Sequence, residues 1–493
     1  MGIWSTKQVV TSDPEPGADG HEFKRALGPW NLTLLGIGAI IGAGIFVVTG
    51  TAAALHAGPA IVLSFVLAGV GCLFAGLCYA EFAAMIPVAG SAYTYAYATL
   101  GELAAWIIGW DLILEYLFAA STVAVGWSGY FVAFLRENLG IHLPTAFTSA
   151  PFEVAAGSHI PHATGAIVNL PAVALIVLIT ALLSIGIRES ATANNIIVFL
   201  KVAVVLLVIG FGAMHVEPSN WTPFIPENTG KFGEFGFSGI LAGAGVIFFA
   251  YIGFDAVSTA AQETKNPQRD LPIGILASLA VCTVLYIIMA LVMTGLAHYS
   301  ELNQPHPVFV AINKAGPALR WLTPIVNMGA IAGLASVVLV MLMGQPRILY
   351  SMAKDGLLPP YFSKVHPKFR TPFSATIVTG IFAGVIAGLF PIGILGELVS
   401  IGTLFAFVVV CAGILVLRYK RPDLPRPFRT PWVPFVPVAG MLACLSLMAG
   451  LGLETWMRLF AWMALGLLTY GLYGRRHSRV GLAQASAASA PRP

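Results

Sequence analysis

The sequence is poor in charge. Of its 493 residues only 10% are Asp, Glu, Lys or Arg, whereas soluble domains carry about 25%. Hydrophobic residues make up 57% of the chain, and the mean hydropathy is +0.84. This composition excludes an ordinary soluble globular protein. It predicts an all-α polytopic membrane protein that lies in a lipid bilayer.

Several other features are missing. The sequence has no P-loop, which argues against an ATP-driven pump. No grouping of His, Cys or Asp suits a nucleophile and base or a metal cluster, so we expect no enzyme activity, no cofactor, no metal and no nucleic-acid partner. The first 30 residues lack an apolar core of about 7 to 15 residues, which argues against a cleaved signal peptide. Disulfides are not expected, because every cysteine falls in an apolar stretch: Cys72, Cys78, Cys282, Cys411 and Cys444.

Twelve stretches approach the length of about 20 apolar residues that one membrane crossing needs. They lie at 31–55, 60–86, 96–135, 166–187, 191–214, 237–260, 272–297, 322–348, 373–390, 396–417, 434–453 and 456–474. If the N-terminus is cytoplasmic, 20 of the 26 Lys and Arg residues fall on the cytoplasmic side. Because basic residues collect there, we expect a cytoplasmic tail at each end, residues 1–30 and 475–493.

Glycine interrupts two of these stretches, the first and the sixth. Gly42 and Gly44 flank Ala43 in the first, and Gly253 follows Ile252 in the sixth. The first ten spans therefore divide into two sets of five, and an odd number inverts the second set in the membrane. Matching interrupted segments in inverted repeats indicate a secondary transporter. We expect the transporter domain to cover residues 31–474, with the last two spans outside the repeat.

The interruptions expose backbone groups that can bind a ligand. The N–H groups of Ala43 and Gly44 suit a carboxylate, and the following half-helix points its positive end at them. The freed carbonyl groups suit an ammonium group, and they belong to Ile40, Phe249, Ala250 and Ile252. Together they describe a site for an α-amino acid. The alternative is that these glycines only allow close helix packing. This alternative is less favoured, because the glycines occupy symmetric positions in two segments.

Several segments resemble the amino acid-polyamine-organocation (APC) superfamily, and specifically the cationic amino acid transporter branch with its bacterial homologues. They are Gly42–Phe46, Tyr79–Phe82, Gly90–Tyr95, Gly109–Tyr116, Phe249–Asp255, Asn266–Arg269 and Lys354–Pro359. The resemblance implies a LeuT-like fold, an L-amino acid substrate bound at the first-helix break around Gly42, and a multi-pass protein of the cell (inner) membrane. It also implies a small single-span membrane subunit as a partner. It leaves open whether the substrates are small neutral or cationic amino acids, and whether transport is symport or exchange.

The resemblance also assigns individual roles. Phe249 resembles the aromatic gate that closes over the substrate, although a core or lipid-facing Phe is the alternative. Lys201 resembles the lysine that replaces a sodium ion in proton-coupled relatives. The alternative is a lysine that snorkels to the cytoplasmic face.

Two acidic residues complete the predicted site. Asp255 follows the second break, and Glu115 falls where relatives line the side-chain part of the pocket. The two carboxylates suit either a cationic substrate side chain or a proton relay. Finally, residues 305–317 predict a short helix over the outer vestibule.

Overall fold

The computed structural model describes residues 27–86, 91–153, 162–185, 191–369 and 371–479. Within these ranges the regular structure is almost entirely helical, apart from a two-stranded antiparallel ribbon of β1 (Phe152–Glu153) and β2 (His162–Ala163). The α-helices are α1 (Pro29–Ile40), α2 (Thr49–Ala52), α3 (Ile61–Met85), α4 (Ser91–Thr99), α5 (Glu102–Leu139), α6 (Leu170–Ile185), α7 (Ala191–Ala213), α8 (Gly236–Ile247), α9 (Pro267–Leu296), α10 (Pro307–Lys314), α11 (Leu322–Lys354), α12 (Phe373–Leu389), α13 (Ile392–Lys420), α14 (Phe435–Gly450), α15 (Leu453–Thr469) and α16 (Arg475–His477).

Many of these helices are long and apolar enough to cross a membrane. Seven stretches of the described chain qualify, and eight do if Phe435–Gly450 and Leu453–His477, which are bent by 113°, count as one span. One of the seven, Pro29–Met85, has 57 residues, far more than the about 20 that one crossing needs. The apolar helices α6 and α12 are shorter. The protein is therefore a multi-pass helical membrane protein, and the number twelve stays a prediction.

The 38-residue helix α5 is central to the packing. It contacts α11, α13, α12, α6 and α4, while α1 packs against α9 and α7. Small residues permit these close approaches. For example, a Cβ atom on Gly333 of α11 would lie 3.1 Å from the aliphatic chain of Lys201, and Gly344 lies against the ring of Tyr116. The outward faces carry exposed Leu, Ile, Val and Phe side chains, as expected for helices that contact lipid.

The first membrane segment is interrupted. Helix α1 ends at Ile40, and Ile41 has an extended backbone with ψ 98°. Helical structure resumes in a π-helical turn, Gly44–Val48, and continues into α2. The glycines therefore mark the place where the regular hydrogen-bond pattern of the helix is lost.

A second interruption follows α8. A 3₁₀ turn, Phe248–Tyr251, leads to Ile252 in an extended conformation. Gly253 then has a φ of +116°, which only glycine adopts without strain. A 3₁₀ segment, Asp255–Glu263, continues on the far side. Outside the membrane segments, α10 forms within the region that the sequence predicts to be helical.

Candidate functional site

The two interruptions lie directly against each other. A Cβ atom placed on Gly44 would overlap the backbone of Ala250, so the two interrupted segments touch at this point. Likewise, a Cβ atom on Gly253 would lie 2.9 Å from the backbone carbon of Ala39. Glycine is thus required at both positions for the two segments to approach. The predicted carboxylate site and the predicted ammonium site consequently belong to one place in the molecule.

A small cavity lies at this junction. Two neighbouring helices, α5 and α11, complete its wall. Its lining side chains are apolar throughout, and the lining residues are Ala39, Ile40, Gly42, Ala43, Gly44, Ala119, Val123, Phe249, Ile252, Val337 and Met341. The cavity therefore combines backbone groups at one end with an apolar compartment.

Donor side chains from other helices bind the carbonyl groups freed at the first break. The Lys201 ammonium group is 1% exposed and donates to the carbonyl oxygens of Gly38 and Ile41, at 2.8 and 3.1 Å. The Tyr286 hydroxyl donates to the carbonyl oxygen of Ile40 at 2.7 Å. Lys201 is therefore buried at the end of α1 and does not snorkel.

A buried polar layer adjoins the cavity. Glu115 lies one helical turn before the cavity residue Ala119 and is 2% exposed. Asp255 is equally buried, and the Tyr116 hydroxyl donates to its Oδ2 atom at 3.4 Å. Within the described chain, neither carboxylate lies within ion-pair distance of a Lys or Arg side chain. The described residues also contain no group of three or more His, Cys, Asp or Glu that could hold a metal ion.

The nine residues predicted to bind the substrate divide into two groups. Six of them line the cavity: Ile40, Gly42, Ala43, Gly44, Phe249 and Ile252. Three do not: Ala250 lies in the contact between the two breaks, while Glu115 and Asp255 lie in the polar layer. Sequence reasoning missed five lining residues: Ala39, Ala119, Val123, Val337 and Met341. The spacing of four residues from Glu115 to Ala119 to Val123 was the available signal, because it places all three on one face of α5.

The fold defines a multi-pass helical membrane protein with a cavity between two interrupted helices. Residues 27–469 match the amino acid permease family. The chain is 51% identical to the branched-chain amino acid permease BcaP of Bacillus subtilis (strain 168), over 93% of this chain and 95% of that protein. It is 48% identical to the methylthioribose transporter of the same organism, over 92% and 94%. It is also 40% identical to the vacuolar cationic amino acid transporter 4 of Arabidopsis thaliana, over 82% and 65%.

The chain therefore belongs to the amino acid permease family of the APC superfamily. It is an amino acid transporter and not an enzyme. The family resemblance seen in the sequence motifs is confirmed.

Proposed function

We propose that this permease is a proton-coupled carrier of L-amino acids with small or branched apolar side chains. It works by alternating access with twelve membrane helices, of which the first ten form two inverted sets of five in the LeuT-like arrangement. It lies in the cell (inner) membrane with both termini in the cytoplasm. The apolar lining of the cavity supports this substrate class most directly. Since the relatives at 51% and 48% identity are named for different substrates, the cavity lining is the better guide to the substrate of this permease.

The substrate backbone binds at the breaks. Its carboxylate accepts hydrogen bonds from the N–H groups of Ala43 and Gly44, which begin a new helical segment and have no intrahelical acceptor. Its ammonium group donates to carbonyl oxygens at the second break, such as that of Ile252. The Ile40 carbonyl, which Tyr286 already occupies, offers its second lone pair. Phe249 closes the cavity as a gate.

The substrate side chain points toward α5 and α11, where it contacts Ala119, Val123 and Met341. Burial of an aliphatic side chain there is favourable by about 25 cal/mol per Å² of apolar area. An ammonium or guanidinium group in the same place has no partner among the lining side chains, and an unpaired buried charge is costly.

Lys201 couples transport to protons. As an ammonium group it holds the end of α1 through charge-assisted hydrogen bonds to Gly38 and Ile41. Loss of the proton removes the charge and one donor, which weakens this hold and allows the segment to move. The proton gradient thereby biases the opening of the first segment.

A second candidate function is cationic amino acid exchange. Glu115 and Asp255 favour it, because they are buried near the cavity without a basic partner among the described residues. A longer substrate that reaches past Ala119 would place its charge between them. If the substrate is apolar, the same two carboxylates serve the proton relay.

Uptake of labelled L-leucine and L-arginine into proteoliposomes, with and without an inward proton gradient, separates these functions. We expect leucine to accumulate with the gradient, and excess arginine not to compete. Accumulation that requires sodium and ignores pH would contradict proton coupling, and strong competition by arginine would favour the second candidate. Co-purification from native membranes tests the predicted single-span subunit.

The variant Ala119→Phe tests the cavity itself. The larger side chain fills the apolar compartment, so we expect leucine uptake to fall much more than alanine uptake. The control is Ala104→Phe, a change at a half-buried position of α5 that does not line the cavity. Equal losses for both substrates in Ala119→Phe would argue against this location of the side chain.

A further inference from the structure

The chain continues beyond α15 as a segment that lies across several helix ends, and we call Tyr470–Arg479 the C-terminal strap. It consists of a π-helical turn, Tyr470–Gly474, the single turn α16, and the two residues that follow. We propose that the C-terminal strap is a latch that holds the cytoplasmic side of the permease closed. This inference rests on the proposed topology, which places these residues at the cytoplasmic side.

The buried carboxylate of Glu102 anchors the strap. Glu102 is the first residue of α5 and is 4% exposed. Its Oε1 atom accepts a hydrogen bond from the Tyr470 hydroxyl at 2.8 Å. Its Oε2 atom accepts from the Ser478 hydroxyl and, at 3.2 Å, from the Tyr97 hydroxyl of α4. One carboxylate therefore joins both ends of the strap to α4 and α5.

The strap also contacts the end of α11. The backbone N–H of Arg479 donates to the carbonyl oxygen of Asp355 at 3.1 Å. A Cβ atom on Gly356 would overlap the carbonyl oxygen of His477, so the two backbones lie in direct contact. The Tyr93 hydroxyl of α4 donates to the Asp355 carboxylate at 2.7 Å. The strap, α4 and α11 thus form a second connected group.

The strap joins the start of α5 to the end of α11, which are both cytoplasmic in the proposed topology. Helices α5 and α11 carry the cavity residues Ala119 and Met341, and α4 contacts the segment Asp255–Glu263 beyond the second break. Opening to the cytoplasm requires these elements to separate. While the strap is docked, hydrogen bonds and backbone packing hold their ends together. Undocking the strap is therefore a condition for wide opening.

Ser478 is the position at which a charge would release the latch. Its side chain is buried, with 1% exposure, and its hydroxyl contacts a carboxylate. In Ser478→Asp, a second carboxylate would face Glu102, and two buried like charges repel each other. We expect this variant to undock the strap.

Labelling of a cysteine at Ser258 tests the latch. Ser258 is fully buried in the segment Asp255–Glu263. In Ser258→Cys, a membrane-impermeant maleimide should react slowly from the cytoplasmic side, and severalfold faster when Ser478→Asp is added. The parent without Ser258→Cys gives the background of its buried native cysteines. Because labelling needs no substrate, its outcome is independent of whether leucine is the cargo.

Two controls separate charge repulsion from general damage. His477→Asp adds the same charge at an exposed neighbouring side chain and should leave labelling unchanged. In Glu102→Gln, which removes the facing charge, Ser478→Asp should have a much smaller effect, and this non-additivity is what a charge contact predicts.

The latch would be refuted if Ser478→Asp leaves labelling unchanged, or if His477→Asp accelerates it equally. If Ser478→Asp does not yield folded protein, the combined variant Tyr470→Phe and Ser478→Ala decides the question. It removes two hydroxyl donors to Glu102 without adding charge. It should also accelerate labelling, and an unchanged rate would again refute the latch.

Discussion

Two membrane segments are interrupted, one at Ile41 and one at Gly253, but they are stabilised in different ways. At the first break, side chains from distant helices supply the hydrogen bonds, since Lys201 and Tyr286 donate to three carbonyl oxygens of α1 and Ile41. At the second break, the backbone itself makes the turn. The N–H of Ile252 donates to the Phe249 carbonyl at 3.3 Å, and Gly253 supplies a positive φ.

We infer from this difference that the two breaks have different roles. A break held by an ionisable side chain from another helix responds to protonation, so the first break suits coupling. A break held by its own backbone keeps one shape, so the second break suits a fixed gate and binding surface. The following predictions test this contrast, from the largest expected effect to the smallest.

Lys201→Met should cause the largest loss of uptake. The substitution keeps an aliphatic chain of similar length but removes charge-assisted hydrogen bonds worth about 1.5 to 3 kcal/mol each. We therefore expect leucine uptake in proteoliposomes to fall at least roughly tenfold, because about 1.4 kcal/mol corresponds to a factor of ten. Lys231→Met is the matched control on an exposed loop, and its uptake should equal that of the parent. Normal gradient-driven uptake by Lys201→Met would contradict the role of the first break.

Gly253→Ala should damage the second break locally. The backbone there has a φ of +116° and leaves 2.9 Å to Ala39, so the added Cβ should cost about 1 to 3 kcal/mol in backbone strain alone. We expect a lower melting temperature in detergent and weakened uptake. Gly210→Ala is the control, because Gly210 lies on an exposed helical face with no atom near its missing Cβ. A melting temperature for Gly253→Ala as high as that of Gly210→Ala would contradict this explanation of the turn.

Tyr286→Phe should have a moderate effect. It removes one neutral hydrogen bond to the Ile40 carbonyl, worth about 0.5 to 1.5 kcal/mol, and leaves Lys201 in place. We expect a severalfold rise in the KM for leucine with the dependence on the proton gradient retained. Complete loss of gradient dependence would show that Tyr286, and not Lys201 alone, carries the coupling.

The smallest effect concerns α10, which is not one of the membrane-spanning segments. The His306 ring lies between the rings of Tyr130 and Phe309, at 6.3 and 5.3 Å. Burial, helped by Arg136 and opposed by Glu137, lowers the pKa of His306 from 6.5 to about 4. Because the undocked histidine binds a proton more readily, docking of α10 is fully stable above pH 6.5 and weakens as the pH falls toward 4.

Hydrogen exchange in α10, corrected for its intrinsic pH dependence, checks this prediction. Exchange should accelerate between pH 6.5 and 4 in the parent and should stay flat in His306→Gln. The same acceleration in both proteins would assign the pH response to another group.

The membrane class and the positions of the two breaks could be predicted from the sequence, because hydropathy and glycine act locally. Lys201 could be singled out as an ionisable residue in an apolar stretch. Its acceptors could not, since Lys201 and Gly38 are 163 residues apart and Tyr286 and Ile40 are 246 apart. Such contacts depend on how the helices pack.

The residues of the cavity wall were also hard to predict from the sequence. Sequence reasoning expected charged residues at the pocket, because an acidic side chain in a membrane helix is conspicuous. Val337 is not conspicuous in this way, and the packing of α11 against α5 brings it to the breaks.

The central claim is that the two breaks form one amino acid site, and a structure determined with bound L-leucine tests it most directly. We predict that the leucine carboxylate lies at the N–H groups of Ala43 and Gly44 and that its side chain contacts Ala119 and Met341. Leucine bound elsewhere, with the cavity at the breaks unchanged, would contradict the account.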